Sequence, residues 1–371
     1  MADDLFIRVC FISPKAYPLF NPDVKGVFGG AEVDLYFLAT ELAKDKDFAV
    51  SCLTADYGQQ ETETIEGVRI IKTLNFKENP LVGAVKVWKG LRKADAQIYF
   101  QKAASWGTFL VALFCKFHKR IFFYRTASEQ ECDGTYIKQH PVFGKMCLWA
   151  LKTAAHVFVQ NKIDGQNLLR TTGISSTVIP NGHRLVELRQ CQRDTILWVG
   201  RSAKIKGPTL FTYLAEKVPN QKFTMICQRA TGDDKYDQLL ARASQVENLE
   251  FIQHVDFNAI DTYFQQAKIF VNTSKIEGFP NTFIQACQYA TPILSLNVDP
   301  DGFLVQYNCG ICCNGSMECL VDSLRFMLAE NRFIEFGKNA RRYAEQNHNI
   351  KQIAGEYKRL FAGLLRPEKV S

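Results

Sequence analysis

The sequence predicts an α/β protein of two successive domains, each built on a parallel, doubly wound, Rossmann-like sheet. Three observations predict it. At 371 residues the chain exceeds what one ordinary hydrophobic core organises. Short apolar runs alternate with helical periods, the pattern of βαβ units. The alternation breaks at Pro180-Asn181-Gly182, passes through a polar stretch to Asp194, and then starts afresh.

In the first half, residues 6–12, 48–54, 96–100, 120–125 and 156–160 read as strands, with an amphipathic helix over 31–44. In the second half, strands are expected at 195–199, 222–227, 249–252, 268–271 and 292–295, with a helix over 207–218. The boundaries follow: an N-terminal domain at 1–183 and a C-terminal domain at 184–350, with a hinge near 181–194. A last helix, about 351–371, is expected to pack back on the first domain. In an open parallel sheet, ligands lie at the carboxyl ends of the strands, so two such sheets would present those ends across one cleft. The loops that follow strands are therefore the ones to read for chemistry.

Composition narrows the class. The chain is 47% hydrophobic and 22% charged, as soluble globular proteins are, with no repeat or low-complexity tract. The first residues carry acids rather than a basic n-region, so no secretory signal is expected. The longest apolar stretch, 106–115, falls far short of the roughly 20 residues that span a bilayer. A cytoplasmic location is expected. The twelve cysteines are scattered through apolar segments, as small buried hydrophobes are. Cys309, Cys312 and Cys313 cluster, yet no second ligand pair follows at zinc spacing, so a buried strand is expected there and no metal site.

Three loops stand out. In the first, Gly26-Val-Phe-Gly29-Gly30 precedes the first long helix, where bare backbone N–H groups and the helix dipole suit an anion. In the second, a strand ends at Gly200, and Arg201 and Lys206 lie in the loop before the next helix. A guanidinium fork and a mobile ammonium are a useful pair for a diphosphate. The third runs Glu277-Gly278-Phe279-Pro280-Asn281-Thr282-Phe283-Ile284-Gln285. Pro280 suits the first turn of a helix, Asn281 and Thr282 suit that end, and Gln285 falls within the helix. Glu277 and Gln285 could thus address two ends of one extended ligand, with the helix N-terminus facing its anionic middle.

This third segment resembles the E-x7-E signature of retaining family 4 glycosyltransferases, and other pieces agree in order: Gly29-Gly30-Ala31-Glu32, the Pro180-Asn181-Gly182 hinge, Val199-Gly200-Arg201, and Ala290-Thr291-Pro292. The resemblance implies the GT-B architecture and a nucleoside-diphosphate sugar donor. It implies that Arg201 and Lys206 hold the donor diphosphate and that Glu277 bonds the sugar hydroxyls. Backbone amides around Gly278, Phe279 and Asn281 would help, beside Gly200 and Thr282. Gly29 and Gly30 would close over the phosphates, and Val255 would contact the base. There are two departures. The second glutamate is Gln285 here, which loses charge assistance to the ribose and should weaken nucleotide binding roughly tenfold. The histidine that many members place near residues 124–129 is absent; Arg125, Ser128 or Glu129 could fill its role.

The mechanism expected of such a site has the leaving diphosphate as chief actor, since the signature loop offers one good carboxylate rather than a pair. The expected donor is UDP-glucose or a like UDP-hexose, with no other cofactor, and the expected acceptor is a glycan or lipid-linked sugar in polysaccharide synthesis. Between Leu81 and Lys152, twelve basic residues stand against four acidic ones, a surplus of eight. That surplus fits docking on the inner face of the plasma membrane. For the apolar stretch 106–117 by itself, a buried helix with a solvated charged end is expected. Nucleic acid is excluded as a partner, because the basic excess shows no stacking pattern or known module. Two other readings remain open: a sugar-nucleotide hydrolase or epimerase, and a sugar-nucleotide-binding protein without catalysis.

Overall fold

The computed structural model describes residues 6–188, 191–257 and 259–365. The stretch 366–371 of the expected last helix, and residues 189–190 of the expected hinge, lie outside the described residues. The chain divides into two compact units, Met1–Arg184 with Asn349–Ser371, and Leu185–His348.

Unit 1 holds, among the described residues, an eight-stranded sheet. Its strands are β1 (Ile7–Ile12), β2 (Phe48–Thr54), β3 (Thr62–Ile65), β4 (Val68–Lys72), β5 (Ile98–Lys102), β6 (Ile121–Arg125), β7 (His156–Val159) and β8 (Thr177–Val178). Their order is β3-β4-β2-β1-β5-β6-β7-β8. All neighbours pair in parallel except β3 and β4. Helices α1 (Tyr17–Phe20), α2 (Gly30–Leu42), α3 (Pro80–Ala94), α4 (Trp106–Phe117), α5 (Thr135–Gln139), α6 (Pro141–Thr153) and α7 (Lys162–Thr172) connect them.

The central strands are largely apolar because helices cover both faces. Period two then sorts the side chains. Cys10, Ile12, Tyr99, Phe122 and Tyr124 pack with α3, α4, α6 and α7 on one face. Phe11, Phe100 and Phe123 stand in register on the other face. The last helix of the chain, α15 (Ile350–Leu365), brings Tyr357 and Phe361 against Phe100, Phe123 and Phe158.

Three differences from the sequence reading have physical causes. Helix α2 is not amphipathic: Val33 through Ala39 and Leu42 are buried, because the sheet lies on one side and α15 on the other. The β3–β4 hairpin was not anticipated, since half its residues are polar. Its turn is Glu66-Gly67, both with positive φ, the two-residue connection that fits strand twist. Helix α4 is buried only at Thr108, Val111, Ala112, Phe114 and Cys115, while Trp106 and Phe117 are 75% and 74% exposed.

Unit 2 holds β9 (Thr195–Arg201), β10 (Lys222–Gln228), β11 (Leu249–Ile252), β12 (Ala267–Asn272), β13 (Ile293–Ser295) and β14 (Gly310–Cys312). Their order is β11-β10-β9-β12-β13-β14, parallel throughout. The helices are α8 (Pro208–Lys217), α9 (Tyr236–Ala243), α10 (Ile260–Gln266), α11 (Asn281–Gln288), α12 (Phe303–Gln306), α13 (Met317–Leu328) and α14 (Phe333–Asn347). Ile196, Trp198 and Met225 face α8, α9 and α13, while Leu197, Ile226 and Phe270 face α10, α11 and α14. The cysteine cluster lies on and beside edge strand β14, with Cys309 and Cys313 buried.

Candidate active site

Each sheet reverses its order once. In unit 2 the chain runs outward from β9 through β10 to β11 and then returns to place β12 on the other side of β9. In unit 1 the same reversal lies between β1 and β5. Adjacent loops part at such a switch point, leaving a crevice beyond the carboxyl ends of the strands.

In unit 2 that position is occupied by two of the sequence-predicted residues, already in contact. Lys206 ends the 3-10 turn after β9, and Glu277 lies in the loop after β12. The Lys206 ammonium stands 2.6 Å from Glu277 Oε2, with the two side chains 28% and 15% exposed. The other carboxylate oxygen accepts from Ser274 Oγ at 2.6 Å and from Asn272 Nδ2 at 3.3 Å. The two loops are laced together beneath the pair. Thr273 Oγ1 donates to the carbonyls of Lys206 and Gly207, at 2.8 and 2.9 Å, and accepts from Trp198 Nε1 at 2.9 Å. The Lys275 amide donates to the Ile205 carbonyl. Gly207 is left-handed at φ +62°, and a Cβ there would sit 2.6 Å from the Thr273 carbonyl oxygen, so only glycine permits this approach.

The remaining predicted residues of this unit fall around the pair. Arg201 is the last residue of β9, in register with Gln228, rather than a loop residue. The strand extends two positions beyond the expected end because β10 continues to pair with it, and the guanidinium is exposed. A Cβ on Gly200 would meet the Trp198 ring at 2.8 Å. Gly278 and Phe279 are buried and lead into α11. Pro280 is the N-cap rather than part of the first turn, and Asn281 and Thr282 open the helix half-buried. Gln285 lies one turn further, 9% exposed. Val255 is half-buried in the loop after β11 and packs on the core beside α10 and α11.

At the switch point of unit 1, Gly29 caps α2 and Gly30 is its first residue. The Gly29 amide, expected to face a ligand phosphate, donates to the carboxylate of Glu32 at 2.7 Å. A carboxylate from the helix's own first turn stands where an anion would bind.

The structure overturns Arg125 as a stand-in for the missing histidine. Arg125 and Lys102 are register partners at the ends of β6 and β5, and both are buried around Asp34 of α2. Lys102 Nζ lies 2.9 Å from Asp34 Oδ2 and Arg125 Nε 3.3 Å from the same oxygen. Arg125 also donates to Tyr357 Oη, to the Ile179 carbonyl and to Asn181 Oδ1. Asn181 and Gly182, read from sequence as a hinge turn, are thereby tied into unit 1, the Gly182 amide reaching Asp34 as well. Two buried cations thus share one carboxylate. Burial works against the Asp34 anion, but Lys102 and Arg125 outweigh it and hold its pKa below the ordinary value. Lys102 yields: burial, only partly offset by Asp34, pushes its pKa down to about 8. Neither cation belongs to the surface surplus counted from the sequence.

Ser128 and Glu129 stay half-buried in the loop after β6. Burial, with the Asp133 charge, raises the Glu129 carboxyl. The residue the sequence reading missed is Glu131. It accepts from Tyr124 Oη at 2.5 Å and from the Ala127 amide at 3.2 Å, and burial raises its pKa despite those bonds. Asn272 and Ser274 were missed likewise; their spacing of five and three residues before Glu277 was the available signal. Among the described residues, no group of three or more His, Cys, Asp or Glu side chains is placed to hold a metal ion.

A cation held beside a carboxylate at a switch point, with a helix N-terminus close by, can bind a phosphate and a hydroxylated group side by side. Comparison with known proteins agrees on the class. Residues 193–330 match the family "Glycosyl transferases group 1", and the fold is that of GT-B glycosyltransferases. An uncharacterized glycosyltransferase of Haemophilus influenzae is 24% identical over 217 residues, a match spanning 56% of this chain and 59% of that relative. Sucrose-phosphate synthase from Thermosynechococcus elongatus superposes with a TM-score of 0.79 at 16% identity, covering 96% of this chain and 98% of that one. HepE of Anabaena, solved in complex with UDP and glucose, gives 0.74 at 13% identity, covering 96% of this chain and all of its own.

Proposed function

We propose that this chain is a retaining glycosyltransferase. It moves a hexosyl group from a nucleoside-diphosphate sugar, UDP-glucose or a like UDP-hexose, to a lipid-linked sugar acceptor in polysaccharide or glycoconjugate synthesis. The observation that carries this reading is the Lys206–Glu277 pair at the switch point of the second sheet. The UDP and glucose held by HepE, a protein of the same fold, support the donor class.

In this reading the diphosphate lies against Lys206 and Arg201, with the amino end of α11 adding its dipole. Glu277, its carboxylate oriented by Ser274 and Asn272, accepts from hydroxyls of the hexose. As the bond between C1 and the phosphate oxygen breaks, the cations stabilise the charge developing on the leaving diphosphate. A phosphate oxygen takes the proton from the acceptor hydroxyl, whose oxygen forms the new bond on the face just vacated. Configuration at C1 is retained. Lys206 and Arg201 supply the positive charge, so transfer proceeds in the presence of a chelator.

The test is calorimetry with a panel of nucleoside-diphosphate sugars, followed by proton NMR of the product's anomeric centre. Binding of a UDP-hexose that Arg201→Ala weakens by orders of magnitude, and a product of unchanged configuration, support the reading. No affinity for any sugar nucleotide, or an inverted product, overturns it.

A further inference from the structure

We propose that the outer face of helices α3, α4 and α6 docks on an anionic lipid membrane. These helices lie side by side on one face of the unit 1 sheet, α4 between the other two. Their inner sides fill the core, so their outer sides would ordinarily be polar.

They are not. Trp106, Leu113 and Phe117 are exposed on α4 at positions i, i+7 and i+11, one stripe along the helix. Leu81 and Val85 continue it on α3, and Val142 on α6. Ring contacts join the stripes: Phe117 touches Trp88 of α3, and Trp106 and Phe109 touch Phe143 and Trp149 of α6. The result is one apolar, aromatic surface across three helices.

Charge says what covers it. The three helices contain no Asp or Glu. Lys89, Arg92, Lys116, Lys145 and Lys152 are exposed on them. Lys86 and Lys93 are exposed too, but paired with Glu78 and Glu61 from other segments. Lys116 lies over the Trp149 ring, 5.3 Å from its centroid, so cation and aromatic share one surface. An outward-facing helix layer with tryptophans and lysines interleaved matches a headgroup plane. There, rings sit at the interface and ammonium groups reach lipid phosphates. The absence of acids favours an anionic leaflet, where each basic residue contributes roughly fivefold to association.

The test uses the full chain with phosphatidylglycerol–phosphatidylcholine vesicles against phosphatidylcholine alone, by sedimentation at rising salt. Brominated lipids serve as a second readout. Three of the four tryptophans (Trp88, Trp106, Trp149) lie on this face, while Trp198 is buried in unit 2. The expected result is salt-sensitive binding to the anionic vesicles, with quenching that Trp106→Gln reduces. Lys116→Glu with Lys145→Glu should weaken binding at least about tenfold at unchanged unfolding temperature. No sedimentation with anionic vesicles at low salt overturns the proposal, as does binding that neither the charge reversal nor Trp106→Gln affects. A self-associating protein that Trp106→Gln turns monomeric, without vesicle binding, would assign the face to a second copy and overturn it as well.

Discussion

Replacing Glu277 by Gln separates the two halves of the proposed donor. The carboxylate receives three donors: Lys206 on one oxygen, Ser274 and Asn272 on the other. An amide of the same shape keeps one acceptor oxygen and turns an NH2 toward groups that themselves donate. Hydrogen bonds to charged groups contribute about 1.5–3 kcal/mol, and the sugar hydroxyls would lose one such acceptor. At about 1.4 kcal/mol per decade, that is a loss of roughly 10- to 150-fold in affinity for the sugar nucleotide and in turnover. UDP alone should behave differently. It does not carry the hexose, and the variant frees the Lys206 ammonium from its ion pair, so UDP binding should hold or strengthen. Calorimetry with UDP and with UDP-glucose, alongside steady-state transfer, reads both halves. A variant that binds and transfers the sugar nucleotide as the parent does would refute the role of Glu277. Equal losses for UDP and UDP-glucose would mean the carboxylate acts only by holding Lys206.

Gln285→Glu should raise UDP affinity roughly tenfold, because a charged acceptor replaces a neutral one; unchanged calorimetry would remove Gln285 from the ribose. Gly207→Ala should destabilise the protein by roughly 1–3 kcal/mol in denaturant unfolding, since the residue is left-handed and a Cβ meets the Thr273 carbonyl at 2.6 Å; a variant as stable as the parent would refute the strain argument. Lys102 has a folded pKa of about 8 against 10.5 for the free side chain. Between those values the unfolded chain binds a proton that the folded chain does not. The Lys102 contribution to stability therefore rises with pH across that window. Measured against Lys102→Met, the unfolding free energy of the parent should climb from pH 8 to pH 10, and a flat difference would contradict the assignment.

Most strands of both sheets were legible because burial on both faces leaves largely apolar runs, as in β1 and β9. Their ends were less so. Arg201 reads as a loop residue, and only the register with Gln228 shows the strand continuing. The β3–β4 hairpin escaped because its Thr62-Glu63-Thr64 stretch, on the edge strand, is polar and lacks the apolar run that marks the other strands. Lys102 and Arg125 were counted as surface charges because a single sequence does not reveal that Asp34, in a helix far earlier in the chain, lies between them. The site shows the same division. Glu277 and Lys206 could be picked out as strand-following loop residues. Asn272 and Ser274, which orient the carboxylate, were not: their spacing of five and three residues before it is visible, but it forms no motif that marks it out.

The burial of Tyr357 and Phe361 in unit 1 sets an order on synthesis. Unit 2 is one continuous stretch, Leu185–His348, and has its sheet and both helical layers once that stretch has left the ribosome. Unit 1 begins first but lacks the rings that cover Phe100 and Phe123, and the hydroxyl that receives Arg125, until α15 follows. Until then its nascent sheet carries a partly uncovered aromatic face and a buried guanidinium short of one acceptor, so the half translated first is the half that matures last.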